Sequence, residues 1–217
     1  MKLVYFNGKG FAETSRLVLA YANEEYEDFR YPLEIIDWKT HNMKKEEFDS
    51  DKANGKLKKS LNKLPYLEVD GEIIPQSKAI ERYLASRFNL MGSSDVDGAR
   101  IDGICEYVRD FKDAYQGVRR LPEGEERETG MKTWFSETLP SKLNDLEYIL
   151  GDDGFSVGGR ASLADIVLFS FLTQFFDDTE SARSAYSNCE RLSRILENVQ
   201  NNENIKRWLE NRPSGSF

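Results

Sequence analysis

Tyr5, Leu64-Pro65 and Gln76-Ser77 are the residues of this chain whose types and neighbours could do chemistry. Proline cannot donate to a sheet ladder, so the main chain at Leu64 can face outward instead of joining a neighbouring strand. Ser77 stands at the expected N-cap of an amphipathic helix carrying Ala79, Ile80, Tyr83 and Leu84. There, free N–H groups and the helix dipole attract a carboxylate. A free backbone edge beside an anion-seeking helix end reads as a peptide-binding surface. Tyr5 closes a short strand just before Asn7-Gly8-Lys9-Gly10, whose glycines can turn tightly and bring backbone close to a ligand. Its phenol could simply end that strand in water. Alternatively it could donate a hydrogen bond to a thiolate, the reactive form of a thiol whose free pKa is ~8.5. No cysteine stands near this turn, which disfavours dithiol or monothiol redox chemistry.

The elements that must position these residues change period along the chain. Lys2 to Phe6 is a strand, Ala12 to Ala22 a helix with Leu17, Val18, Ala20 and Tyr21 inward, and Tyr26 to Tyr31 a second strand. Lys63 to Ser77 reads as strand, turn, strand and helix start, with Asp70-Gly71 as a two-residue hairpin signal. The helix from Ser77 runs to about Phe88. Residues 89–94 form a polar, glycine-bearing linker, and beyond it only helical spacing recurs, as in Ile101-Ile104-Cys105-Val108-Phe111. The chain thus divides into an α/β domain over 1–88 and an all-helical bundle over 95–217. Ser162-x-x-Asp165 before Ile166-Val167-Leu168 is a capping-box signature, a folding device rather than a reactive one.

With 217 residues, the chain can bury a core in each of two modest domains. Apolar residues at 39% and charged ones at 31% place it among ordinary globular proteins. A net charge of −8 argues against nucleic acid or an anionic membrane as partner. No apolar run reaches the ~20 residues a bilayer crossing needs, and Met1 to Phe6 is too short for a secretory signal. Cys105 and Cys189 are far apart and form no Cys-x-x-Cys pair, which favours free thiols in a cytoplasmic setting.

Leu64-Pro65 followed by Glu68-Val69-Asp70-Gly71 and Gln76-Ser77, with Tyr5-Phe6 ahead and Ser162-Leu163-Ala164-Asp165 behind, resembles the cytosolic glutathione transferases. It is most similar to their sigma class, which includes prostaglandin D synthases and cephalopod lens crystallins. The resemblance runs nearly end to end, to Arg212-Pro213. It implies a thioredoxin-like first domain and a homodimer that conjugates the thiolate of glutathione to small hydrophobic electrophiles. A glutathione-dependent lipid isomerase or peroxidase, or a non-catalytic crystallin or carrier, are the alternatives. By the same resemblance Tyr5 activates the sulfur. Leu64, before a cis Pro65, pairs with the cysteinyl unit; Gln76 and Ser77 hold the γ-glutamyl end. Phe6, Trp38 and Lys63 line the tripeptide, and Asp110 reaches it across a dimer interface. The electrophile pocket falls to Phe11, Val108, Lys112, Tyr115 and Phe217. Val108, however, also fits the helical core spacing.

Three departures from the family pattern stand out. Phe11 occupies a position where relatives carry an arginine, so more of the thiolate stabilisation falls on Tyr5 or a local N–H. Asn42 replaces a lysine, which leaves His41, Lys39, Lys44 or Lys45 to meet the glycyl carboxylate. The acidic cluster that binds a divalent cation in some relatives maps to the trio Glu106, Arg109 and Asp110, where the arginine's charge would repel a cation, so no metal is expected there. The lysine-rich stretch from Lys44 to Lys63 is longer than in relatives. It could be a solvated, mobile insertion, or a cationic rim for a ligand carrying two carboxylates.

Overall fold

The computed structural model describes residues 1–37 and 42–214, in two compact units. The first joins Met1–Phe88 to the C-terminal stretch from Glu203, and the second is Asn89–Asn202. The last helix therefore groups with the α/β unit, not with the bundle in which a 95–217 domain would place it. Its side chains supply the reason, because Trp208 and Arg212 both bond to the buried Glu13 of the first unit.

In the first unit, β1 (Lys2–Phe6) is followed by α1 (Glu13–Tyr21), β2 (Glu27–Tyr31), β3 (Glu34–Asp37), β4 (Asn42–Lys44) and α2 (Glu46–Ala53). Then come β5 (Tyr66–Val69), β6 (Glu72–Pro75) and α3 (Ser77–Arg87). The main sheet has the order β2-β1-β5-β6, with β1 parallel to β2 and antiparallel to β5. Leu3, Val4 and Tyr5 are all buried, as a central strand covered on both faces requires. The Asp70-Gly71 turn has positive φ at both residues, 53° and 81°, the geometry of a tight hairpin. The small β3–β4 ladder was not foreseen. Its strands are only four and three residues long and mostly polar, too short to show a period of two.

The lysine-rich insertion is anchored rather than loose. Phe48 of α2 and Leu57 after it are buried with Val4 and Tyr31, and Phe6, Phe29, Leu64 and Tyr66 pack against them. The Tyr31 hydroxyl donates to Asp51 at 2.9 Å, and Lys56 closes on the same carboxylate at 2.6 Å. Two apolar anchors in a polar stretch thus tie α2 to the sheet.

The second unit has helices and no strand among its described residues: α4 (Asp95–Arg119), α5 (Glu125–Thr133), a π-helical segment (Trp134–Thr138), α6 (Leu139–Glu147), α7 (Leu163–Gln174), α8 (Thr179–Ala185) and α9 (Glu190–Asn201), with a long loop over 151–162. Ser94 caps α4 by accepting the Asp97 N–H at 3.1 Å. α7 is its axis, with ten buried residues from Leu163 to Leu172. The Asp165 carboxylate accepts from Ser162 N–H at 2.6 Å, Ser162 Oγ at 2.7 Å and Ser156 N–H at 2.7 Å, the capping role read from the sequence. α10 (Glu203–Asn211), in the first unit, packs on α1. No helix among the described residues is long and apolar enough to cross a membrane.

Candidate functional site

Tyr5 is the penultimate residue of β1 and only 5% exposed. Its oxygen accepts the main-chain N–H of Phe11 at 3.2 Å, across the turn of Asn7 to Gly10. Gly10, at φ 39°, and Gly8, whose N–H bonds back to Phe6 C=O at 2.8 Å, let that turn close tightly. Burial pushes the phenol above its ordinary range, while the Phe11 N–H and the nearby Arg16 charge pull the other way. The net direction is upward, so the hydroxyl keeps its proton at neutral pH and, having accepted from Phe11, still has one to give. Phe6 stacks edge-on to Tyr5 at 5.6 Å and to Phe48 at 5.1 Å, so α2 backs the strand end.

The Leu64-Pro65 bond is cis, as the resemblance implies. The β1–β5 ladder ends at Val4–Tyr66, so Leu64 lies beyond the last registered pair. It is half-buried against the Phe48 and Leu57 cluster, and Lys63 beside it is exposed. Leu61 and Asn62, both at positive φ (59° and 55°), reverse the chain just before it.

Gln76, not Ser77, is the N-cap of α3, one residue earlier than the sequence indicated. Its φ of 72° is uncommon for a residue with a side chain and costs on the order of 1–3 kcal/mol. The position is held from both sides: Pro75 pairs with Tyr66, and Gln76 C=O accepts the Ile80 N–H at 3.0 Å. The exposed Gln76 side chain makes no cap bond, and Ser77 becomes the first helical residue. Its N–H is then one of the donors that a helix leaves unmatched at its start. A carboxylate would find these donors and the positive end of the helix dipole together.

Other expected residues are placed less centrally. Trp38, Lys39, His41 and Phe217 lie outside the described residues. Lys44 and Lys45 are engaged with Glu46 and Asp49 at 3.3 and 3.6 Å. Phe11 is 70% exposed in the first unit. Val108 and Tyr115, at 1% and 3%, are buried, which matches the core spacing of Val108 and corrects Tyr115, whose ring packs among Trp134, Phe135 and Phe176 instead of lining a pocket. Lys112 lies over the Phe171 and Phe175 rings at 5.8 and 5.4 Å. Asp110 is exposed on α4, and Arg109 holds Glu106 at 2.7 Å, so the interrupted trio carries an internal ion pair.

The sequence profile of the glutathione S-transferase N-terminal domain matches residues 1–86, and that of the C-terminal domain matches 109–212. Glutathione S-transferase 1 of Ascaris suum is 30% identical, over 100% of this chain and 98% of its own. The chain belongs to the glutathione S-transferase family. Hematopoietic prostaglandin D synthase of Gallus gallus is 33% identical over 98% of this chain and 96% of its own length. Among solved structures, monomeric Na-GST-3, a glutathione S-transferase of the hookworm Necator americanus, superimposes with a TM-score of 0.80 at 25% identity, covering 100% of this chain and 98% of that one.

Sequence reasoning passed over Glu13 and Arg16, two charged residues buried in α1 behind the Tyr5 turn. One signal could have found them. An acid and a base three apart, directly before the apolar run Leu17-Val18-Leu19, fall on the inward part of a short helix, where charges must be paired.

Proposed function

We propose that this transferase joins the sulfur of reduced glutathione to small hydrophobic electrophiles, with Tyr5 as the residue that keeps the sulfur ionised. The observation that carries this reading is the buried Tyr5 hydroxyl, whose oxygen accepts the Phe11 N–H and whose own hydrogen is left to donate. In the proposed complex, Leu64 pairs by its main chain with the cysteinyl unit, while Gln76 and Ser77 receive the γ-glutamyl carboxylate at the start of α3. Phe6, Lys63 and Trp38 flank the tripeptide. Tyr5 donates to the thiolate, which then attacks an electrophilic carbon brought alongside it; the sulfur–carbon bond forms as the leaving group departs with its electron pair. No further base is needed once the thiol is ionised. Phe11, with Lys112 and Phe217, is assigned to the electrophile.

A homodimer of sigma-class type in the cytoplasm completes the reading, since Asp110 could act on the ligand only from a partner subunit. Sedimentation of the purified chain tests the dimer, and Asp110→Ala tests the contact through glutathione affinity. The likeness to a prostaglandin D synthase favours lipid isomerisation as a second reading. Phe11 in place of a cation and the Arg109–Glu106 pair count against it. The deciding experiment is retention on immobilised glutathione together with conjugation of a chloronitrobenzene, wild type against Tyr5→Phe. Loss of one hydrogen bond to a charged sulfur costs about 1.5–3 kcal/mol, or roughly 10- to 100-fold in kcat/KM. Full turnover by the variant would remove Tyr5 from its role, and binding without turnover by wild type would favour a carrier.

A further inference from the structure

Two buried charges behind the tyrosine have no part in the reaction described above. Glu13 and Arg16 are 3% and 0% exposed. Withdrawing a charge from water without a partner costs several kcal/mol, so their partners define what they do. Glu13 Oε1 accepts from Trp208 Nε1 at 3.0 Å and from Arg212 Nη1 at 2.7 Å, both at the C-terminal end of the chain. Its other oxygen lies 3.6 Å from Arg16 Nη1. That same nitrogen donates to Gly8 C=O at 2.6 Å. Arg16 Nε reaches Asp28 at 3.2 Å, and Arg30 grips that carboxylate at 2.8 Å. The Arg16 guanidinium carbon is 6.0 Å from the centre of the Tyr5 ring.

Gly8 belongs to the turn that starts after Tyr5 and ends by presenting Phe11 N–H to the phenol. A short, charge-assisted bond to its carbonyl therefore fixes the loop from within. Mere filling of the space between α1 and the sheet would need an apolar side chain, not a guanidinium oriented by two carboxylates. We propose that Glu13 and Arg16, braced from behind by Trp208 and Arg212, are positioning residues that hold the Tyr5 turn so that its phenol faces the sulfur of glutathione. The proposal rests on the reading of Tyr5 as the sulfur-activating group. It makes Trp208 and Arg212 a structural strut of the reaction centre, acting through Glu13.

The test uses the full chain and glutathione itself. The thiolate fraction of bound glutathione is followed by its ultraviolet absorbance against pH, beside affinity for an S-alkyl glutathione, which has no thiol to ionise. Arg212→Met should lower the thiolate fraction near pH 6.5 by about 3- to 10-fold, a rise of roughly 0.5–1 unit in the thiol pKa. Arg212→Lys should recover most of it, and Trp208→Phe should cost about 2-fold. S-alkyl glutathione affinity should stay within roughly twofold, because the tripeptide is gripped elsewhere. An unchanged thiolate fraction in Arg212→Met overturns the proposal, whatever happens to its melting temperature. If that variant does not fold, Trp208→Phe, which keeps the ring and loses one N–H···O bond, decides in the same way. Tyr5→Phe run in parallel separates the two ideas. A loss there with none in the bracing variants overturns the strut alone, and no loss in Tyr5→Phe withdraws the phenol reading and the strut with it.

Discussion

The main-chain N–H of Phe11 points at the phenolic oxygen of Tyr5 from 3.2 Å, so the residue that departs most visibly from the family pattern still serves the tyrosine through its backbone. The guanidinium is missing from that position, but any residue other than proline there keeps the N–H. A donor to the phenol oxygen makes its own hydrogen more acidic as a donor, and burial keeps that hydrogen in place.

A pH profile follows from this pair. A phenol is neutral and able to donate below its pKa, so raising that pKa above the ordinary value of 10.0 extends its working range upward. With glutathione saturating, kcat/KM for the electrophile should rise with pH through one ionisation, that of the bound thiol, below its free value of ~8.5. It should then stay level to about pH 10. Tyr5→Phe should move the rising limb up toward the free value. Conjugation rates corrected for the uncatalysed reaction at each pH measure both.

Ser77→Ala separates binding from folding. The cap of α3 is Gln76, and Ser77 is the first helical residue, where alanine is well tolerated. The melting temperature should therefore stay within about 2 °C. Glutathione affinity should fall by roughly 10-fold or more, the cost of one hydrogen bond to a carboxylate. Calorimetric titration with glutathione gives the answer, and an unchanged affinity would clear Ser77 of that contact.

Asp165 makes the opposite case, a charged residue with no chemistry. It is 1% exposed and satisfies Ser162 and Ser156 main-chain donors that would otherwise be buried and unmatched. Asp165→Ala should cost about 2–4 kcal/mol and lower the melting temperature by roughly 5–15 °C. Asp165→Asn keeps one acceptor oxygen and should lose less. Turnover per folded molecule should not change in either, as activity normalised to glutathione-binding sites would show.

Much of this could be read from the chain itself because the signals are local. The hairpin at Asp70-Gly71, the strand from Lys2 to Phe6 that carries Tyr5 and the Ser162–Asp165 cap each depend on residues within a few positions of one another. The anchoring of the lysine-rich insertion was not legible, because Phe48 and Leu57 meet Val4 and Tyr31 only after the sheet has formed. The return of α10 to the first unit was hidden for a similar reason. It depends on Glu13, which is 195 and 199 residues away from its partners Trp208 and Arg212. Helical periodicity shows that such a helix exists, but not which unit it joins.

Restoring the absent cation is the sharpest test of what Phe11 does. Its side chain is 70% exposed, so Phe11→Arg should cost less than about 0.5 kcal/mol in stability, and the backbone bond to Tyr5 remains. A guanidinium near the thiolate would favour the charged sulfur and should lower the bound thiol pKa by about 0.5–1 unit. An exposed aromatic ring would be lost at the same time. Turnover of a planar aromatic electrophile should then gain less than the thiolate fraction does, while a small aliphatic electrophile should gain in proportion to it. Equal gains for both substrates would mean that the Phe11 ring makes no contact with the electrophile, and an unmoved thiol pKa would mean that the position does not face the sulfur.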